Sequence, residues 1–334
     1  MRQYLLPEGN AYKANLHCHT TVSDGAWTPE EVKREYKARG YSVVAFTDHE
    51  ILLDHANLCE EGFLALNGYE TSIKQVQVET KELPLMKVHH INLIKKRPGD
   101  VTQVCFFPEN FTPGNCGSYI PFVRYTGEQC KYSYDDAFTN HLIQEAKANG
   151  FLVHYNHPHW SNQEPDDILR LEGIDGIELV NTDTQLYGDN DAKFYAAVTA
   201  RGMRAYALAA DDNHNKGASK SFGAYTVIKA PSLSYESITD AIEKGDCYAS
   251  TGAEIRSLYV EDGKLFVHTS PASVISLHSK GREFFAVYGE GGYVDKAAFP
   301  LDFLRLGGFF RIEVRAKDGS AAYSRAYFKD ELRA

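Results

Sequence analysis

Two histidines one residue apart, His17 and His19 in Asn15-Leu16-His17-Cys18-His19-Thr20, open a series of residues whose types suit metal binding. On an extended strand alternate side chains share a face, so these imidazoles converge while Cys18 turns away as a small buried hydrophobe. Asp24 follows in Ser23-Asp24-Gly25, and Thr47-Asp48-His49 comes one helix-length later. Further candidates recur at Glu70, His90, His157, Asp212 and His214. Imidazole and carboxylate donors without a cysteine suit zinc, manganese or iron.

Such scattered donors need a scaffold that gathers them. Residues 14–19 read as a short strand, and Thr28-Pro29-Glu30-Glu31 is a capping box opening a helix that stops at Gly40. Strands are expected at Tyr41 to Phe46, Phe63 to Asn67, Leu85 to Ile94, Phe151 to Tyr155, Gly176 to Val180, Arg204 to Ala209 and Ala224 to Ile228. Helices are expected at about Asp135 to Asn149, Asn190 to Ala200 and Tyr235 to Lys244. The alternation implies a mostly parallel sheet wrapped by helices. The candidate donors fall at or past the ends of many strands in turn, which an open sheet cannot bring together and a closed barrel can. The expected fold is therefore α/β, a distorted TIM-like barrel over residues 1–252.

An insert at about 95–133 is punctuated by Pro98-Gly99, Pro113-Gly114 and Pro121 and is rich in aromatics, among them Phe106, Phe111, Tyr119 and Tyr132. A loop of this length is uncommon without a role, and it reads either as a lid or as a packing excursion. Arg124 and Lys131 are its candidate substrate contacts. After Thr251-Gly252 the pattern changes to short alternating strands, with a hairpin about Asp262-Gly263, so residues 253–334 are expected to form a small sandwich-like β domain.

Composition sets outer bounds. The 334 residues are 43% hydrophobic and 24% charged, enough for a sizeable core. No apolar run is long enough for a membrane span and the first residues lack a signal-peptide core, so the expected location is cytoplasmic. The six cysteines form no Cys-x-x-Cys pair and read as free thiols, although three of them fall between 105 and 130. A formal net charge of -10 disfavours long nucleic acid as the main partner and still admits a small phosphorylated molecule to a metal pocket.

The set His17-x-His19, Asp24, Thr47-Asp48-His49, Gly68-Tyr69-Glu70, His90-Ile91-Asn92, Asn156-His157-Pro158 and Asp212-Asn213-His214 resembles the polymerase and histidinol phosphatase (PHP) family of metal-dependent phosphoesterases. The resemblance runs through about residues 14–250, and the β tail is similar to that of stand-alone members. It implies a seven-stranded distorted barrel holding two to three divalent metal ions. His17, His19, Glu70 and Asp212 would hold the first, with Glu70 bridging to a second held by His90 and His157. Asp24, His49 and His214 would hold the third; aspartate at position 24, where some relatives carry histidine, makes that site harder. The match of His90-Ile91-Asn92 to the family's His-Val-Asn pattern selects His90 over His89.

The implied reaction is phosphoester hydrolysis, in which two ions about 3.5–4 Å apart neutralise the phosphate and a bridging water becomes the nucleophile. Glu70 and Asp212 would be the catalytic carboxylates, and His159, beside Trp160, a donor for the leaving oxygen. Lys216, Lys220 and Ser221 offer phosphate contacts, and Asp48 either accepts from a ligand imidazole or caps a turn. His154 reads as a neighbour of the site or a core residue; His55 and His141 read as solvated. The expected activity is a phosphatase on a small phosphate monoester. The alternatives are an exonuclease or phosphodiesterase on short oligonucleotides, and a non-catalytic metal-bound scaffold. Oligomeric state is unreadable from the sequence.

Overall fold

The structure is a computed structural model that describes residues 2–75, 86–187, 191–217, 220–281, 283–302 and 308–332. The chain runs β1 (Gln3–Leu6), β2 (Asn10–Asn15), α1 (Pro29–Lys37), β3 (Val43–Phe46), β4 (Leu64–Lys74), β5 (Val88–Lys95), β6 (Thr102–Gln103), β7 (Arg124–Tyr125), α2 (Asp136–Ala148) and β8 (Phe151–Tyr155). It continues through α3 (Pro165–Leu169), β9 (Gly176–Asn181), α4 (Ala192–Thr199), β10 (Tyr206–Ala210), β11 (Tyr225–Ala230), α5 (Tyr235–Lys244) and β12 (Cys247–Ser250). Among the described residues only strands and a short 3-10 turn follow: β13 (Ile255–Glu261), β14 (Lys264–Ala272), β15 (Val274–His278), β16 (Phe284–Tyr288), β17 (Val294–Pro300), β18 (Phe309–Arg315), β19 (Ala321–Ser324) and β20 (Tyr327–Phe328). The expected starts at Leu85 and Asn190 lie outside the described residues.

Local chemistry accounts for the helix ends. The Thr28 hydroxyl accepts from Glu31 N–H at 3.2 Å while Glu31 accepts from Thr28 N–H at 3.0 Å, with Pro29 opening α1. Asp135 caps α2 by accepting from Phe138 N–H at 2.8 Å, and Ser234 caps α5, which ends at Gly245.

One sheet dominates, in the order β10-β9-β8-β5-β4-β3-β2-β11-β12-β19-β18-β15-β16, with β20 on β18. Strands β2, β3 and β4 are parallel neighbours, as are β8, β9 and β10. Strand β5 runs antiparallel to both β4 and β8. The sheet curls until β10 approaches β2, and the seam is stitched rather than laddered. Asp212 N–H donates to His17 O at 3.0 Å, Asp211 N–H to the Asn15 side chain at 2.9 Å, and Cys18 bridges Asn213.

These features refine one expectation and correct two. The α/β sheet curls as a distorted barrel would but is not closed: β5 is reversed, the β10–β2 seam is not continuous, and five α-helices accompany the strands among the described residues. The strand expected at 14–19 stops at Asn15, because the backbone beyond it turns to partners at Thr47, Asp212 and Asn213. The strand expected at 63–67 runs on to Lys74, because antiparallel β5 supplies partners beyond β3's reach.

The last strands do not sit apart from the rest. β12 pairs with β19, so the large sheet continues past residue 252, and β1 pairs with β13 in a second sheet, β1-β13-β14-β17. Leu5, Leu6, Leu258, Val267, Ile275, Phe310 and Ile312 form one buried cluster between the two. The insert has structure of its own. β6 pairs with β7, and Phe106, Phe111 and Cys116 pack on Val22 and Ile51. No helix among the described residues is long and apolar enough to cross a membrane.

Candidate metal centre

All nine expected donors meet where β2, β3, β8 and β10 end. His17 and His19 leave β2, His49 follows β3, His157 follows β8, and Asp212 and His214 follow β10. Glu70 comes from the middle of β4, and His90 from near the start of β5, whose reversal brings its first residues to this face. Asp24 rides on the loop between β2 and α1. Their donor atoms fall into converging groups: His17, His19 and Asp212; Glu70, His90 and His157; and His19, Asp24, His49 and His214.

Glu70 lies at the centre. Its Oε1 is 3.0 Å from His90 Nδ1, 3.4 Å from His17 Nε2 and 3.7 Å from His157 Nε2, and its Oε2 is 3.1 Å from His49 Nδ1 and 3.4 Å from His19 Nε2. Asp212 Oδ1 is 3.1 Å from His17 Nε2 and 3.0 Å from His19 Nε2. The outer set is looser, with Asp24 3.6 Å from His49 Nε2 and from His214 Nε2. All the donors are buried except Asp24 and His214, whose side chains are 32% and 27% exposed and form the mouth.

The imidazoles are oriented from behind. His17 Nδ1 lies 2.8 Å from Glu178 Oε1, His90 Nε2 3.1 Å from Ser72 Oγ, and His157 Nδ1 3.2 Å from Ser161 Oγ. His214 Nδ1 donates to the Asp212 carbonyl at 2.9 Å. Each contact leaves the opposite nitrogen turned toward the cluster, the arrangement expected behind metal-bound histidines. Asn156 donates to Glu70 Oε1 at 2.7 Å and Asn181 to Asp212 Oδ2 at 3.2 Å. His157 and Asp212 hold φ of 24° and 53°, left-handed values that cost non-glycine residues about 1–3 kcal/mol.

Charge coupling runs through the cluster. Burial would raise the pKa of Glu70 and Asp212, but the surrounding histidines hold both carboxylates well below the usual range. Burial would likewise depress His17, yet Asp212, Glu178 and Glu70 lift it well above an ordinary imidazole; His19 and His157 are also raised. His49 is pushed down to about 3 by burial and by His19.

The donor set fits a cation. His17 Nε2 and His19 Nε2 face each other at 3.1 Å, a contact that only a shared proton or a positive ion makes favourable. Asp212 Oδ1 and His49 Nδ1 are buried without a hydrogen-bond partner at the same place.

Other expected residues land elsewhere. His89 is held on the far face by Tyr155 at 2.6 Å and stacks on Tyr134. Asp48 contacts no ligand imidazole; its carboxylate accepts from the backbone and hydroxyl groups of Thr20 and Ser23 and so anchors the loop carrying Asp24. Lys216 pairs with Glu31 at 3.1 Å and Lys220 with Asp183 at 2.9 Å. His159, Arg124 and Lys131 are exposed and lie outside the converging donor groups, and Ser221 is buried. His154 is a core residue bonded to Tyr206 at 3.2 Å, and His55 is buried against Phe46 rather than solvated. Trp160 packs against His90 and His157, with ring centroids 5.4 and 5.0 Å away, and remains 41% exposed.

Sequence reasoning missed Glu178, which accepts His157 N–H at 3.2 Å and Asn181 Nδ2 at 3.0 Å besides facing His17. The available signal was a single carboxylate inside the apolar strand Gly176-Ile177-Glu178-Leu179-Val180.

Over 64 residues the chain is 38% identical to a 5'-3' exoribonuclease of Haemophilus influenzae, a stretch that is 18% of this chain and 23% of that protein. The match therefore spans less than a quarter of that relative's length. No family model matches. A two-domain Bacteroides vulgatus protein described as containing a predicted PHP-like metal-dependent phosphoesterase aligns with a TM-score of 0.46 and 16% identity, over 97% of this chain and 98% of its own. A lesion-specific endonuclease of Pyrococcus furiosus aligns with a TM-score of 0.42 and 13% identity, over 70% of this chain and 56% of its own.

Proposed function

We propose that this chain is a metal-dependent phosphoesterase of the PHP type that hydrolyses a small phosphate monoester. The observation that carries the reading is Glu70, a buried carboxylate whose two oxygens are shared among five imidazoles. His17, His19, Glu70 and Asp212 would hold one divalent ion, Glu70, His90 and His157 a second, and Asp24, His49 and His214 a third; zinc, manganese and iron all suit these donors. When bound, such ions neutralise phosphate oxygens and make a water nucleophilic near neutral pH.

The chain's own residues supply the positioning. Glu178 accepts the Nδ1 proton of His17 and so keeps the Nε2 lone pair free, while Asn156 and Asn181 fix the carboxylate planes of Glu70 and Asp212. Asp48 sets the loop that presents Asp24. Depth limits what enters: of the nine donors only Asp24 and His214 are substantially exposed, which favours a terminal phosphoryl group over the middle of a polymer. The indole of Trp160 offers the organic part of the substrate a face beside that opening, and His159, next along the exposed segment, is the proposed donor to the leaving oxygen. Arg124 and Lys131 are the remaining cations proposed to meet the substrate's charge. We assign the activity to residues up to 252 apart from β1, with 253–334 and β1 as a companion β unit.

A second reading, removal of nucleotides from short oligonucleotides, is favoured by the exoribonuclease match and by the exposed indole, on which a base would stack. Protein reconstituted with zinc, manganese or iron should release phosphate from nucleoside and sugar monophosphates faster than it cleaves bis(p-nitrophenyl) phosphate or short RNA. Faster cleavage of the diesters would reverse the order of the two readings. Absence of hydrolysis of every substrate by metal-loaded protein would leave a metal-bound scaffold.

A further inference from the structure

Outside this centre, one more group of soft donors converges among the described residues. Cys105, Cys130 and His141 place their sulfur and ring-nitrogen atoms within 4.8 Å of one another. Cys105 is buried just beyond β6, Cys130 is half-buried before α2, and His141 projects from the exposed side of α2. We infer that these three residues form a second metal site, with three protein donors, that takes a single thiophilic divalent ion such as zinc.

The chemistry is specific to thiolate and imidazole. Tetrahedral zinc binds sulfur at about 2.3 Å and nitrogen at about 2.0–2.1 Å, which puts neighbouring donors roughly 3.5–3.8 Å apart. Side-chain rotation of less than about 1.3 Å brings the three donors to that spacing, leaving the fourth position for water. The backbone already draws the two cysteines together, since Cys130 N–H donates to Phe106 O at 3.0 Å. Cys105 has a φ of 48°, so its sulfur is directed by a conformation that non-glycine residues seldom adopt. A disulfide would account for the two sulfurs and leave the approach of His141 unexplained.

The ion would clip the insert at Cys105 and at Cys130 to α2. That matters to the first centre because the insert's middle grips the loop carrying Asp24: Asn115 N–H donates to Ser23 O at 2.7 Å and its side chain to Thr21 O at 3.0 Å. Losing the clip should loosen that loop before it disturbs the inner donors.

Cobalt(II) is the probe, because a thiolate-to-cobalt charge-transfer absorption in the near ultraviolet reports sulfur ligation and cannot come from a centre of histidines and carboxylates alone. Full-length protein loaded with cobalt should show this absorption, and Asp212→Asn should retain it. Cys130→Ser should abolish it while lowering the cobalt content by one ion per chain, and His141→Ala should weaken cobalt retention without removing either thiol. Absence of the absorption in the cobalt-loaded wild type overturns the proposal. So does a thiol titration of the freshly purified, metal-stripped protein that falls two short of six because Cys105 and Cys130 are joined.

Discussion

Replacing Glu178 by glutamine tests the metal centre without touching a proposed ligand. In the wild type Glu178 Oε2 accepts from two donors, His157 N–H at 3.2 Å and Asn181 Nδ2 at 3.0 Å, while Oε1 faces His17 Nδ1 at 2.8 Å. In Glu178→Gln the amide oxygen must stay with the two donors, so the NH2 group turns to His17. The ring then has to accept at Nδ1 and carry its proton on Nε2, the nitrogen directed at His19 and Asp212. A buried charge-assisted hydrogen bond contributes about 1.5–3 kcal/mol, and loss of a contact behind a ligand histidine typically costs about 10–100-fold in metal affinity. Zinc or manganese affinity, measured by competition with a chromophoric chelator at about pH 8 where protons compete least, should fall by that factor. The apo variant should melt within a few degrees of the apo wild type, separating a lost tautomer from a lost fold. Affinity within twofold of the wild type in a folded variant would refute the reasoning.

Two further substitutions probe neighbouring parts of the argument. Gly114→Ala should destabilise the chain by at least about 2 kcal/mol in denaturant unfolding and lower the metal content, because a left-handed alanine costs about 1–2 kcal/mol and crowding adds about 1–3. A β-carbon there would lie 1.9 Å from Ser23 O at a φ of +52°, against the loop carrying Asp24, and wild-type stability would contradict this packing. His154 is fully buried with its pKa lowered to about 3, chiefly by burial, against about 6.5 in an unfolded chain. Above pH 6.5 both states hold it neutral and the stability is fully present. Below that only the unfolded state takes the proton, so stability falls with pH down to about 3, by at most about 1.4 kcal/mol per unit. His154→Gln should flatten that slope in unfolding titrations between about pH 6 and pH 4, and an unchanged slope would place the titration elsewhere.

The donors were legible because their residue types are costly to bury without a use, and strand ends give them a common destination. His17 and His19 were marked by their spacing, and His49, Glu70 and Asp212 by falling at or past the ends of expected strands. Glu178 was not legible because its meaning depends on His17, 161 positions away, and a carboxylate in a strand has no local signature. The choice between His89 and His90 came from a resemblance, and the physical reason is visible only in space: Ser72 and Glu70 wait on one face of β5, Tyr155 and Tyr134 on the other. Helix α5 was legible to the residue, since Ser234 and Gly245 mark its ends chemically. Sheet topology was the poorest reading. Nothing in Gln3-Tyr4-Leu5-Leu6 announces pairing with residues 258–260, and the reversal of β5 follows from the partners it finds on both sides. The convergence of Cys105, Cys130 and His141 is likewise a product of how the insert folds back on α2.

The most direct test of the central claim is hydrolysis by Glu70→Gln, measured as phosphate release from a nucleoside monophosphate by metal-reconstituted protein with metal content determined on the same sample. Glutamine keeps the size of Glu70 and the hydrogen bond from Asn156, and removes the charge that five imidazoles share. The account predicts that activity falls by at least about 100-fold and that less metal is retained. Wild-type phosphate release from a folded variant would contradict it.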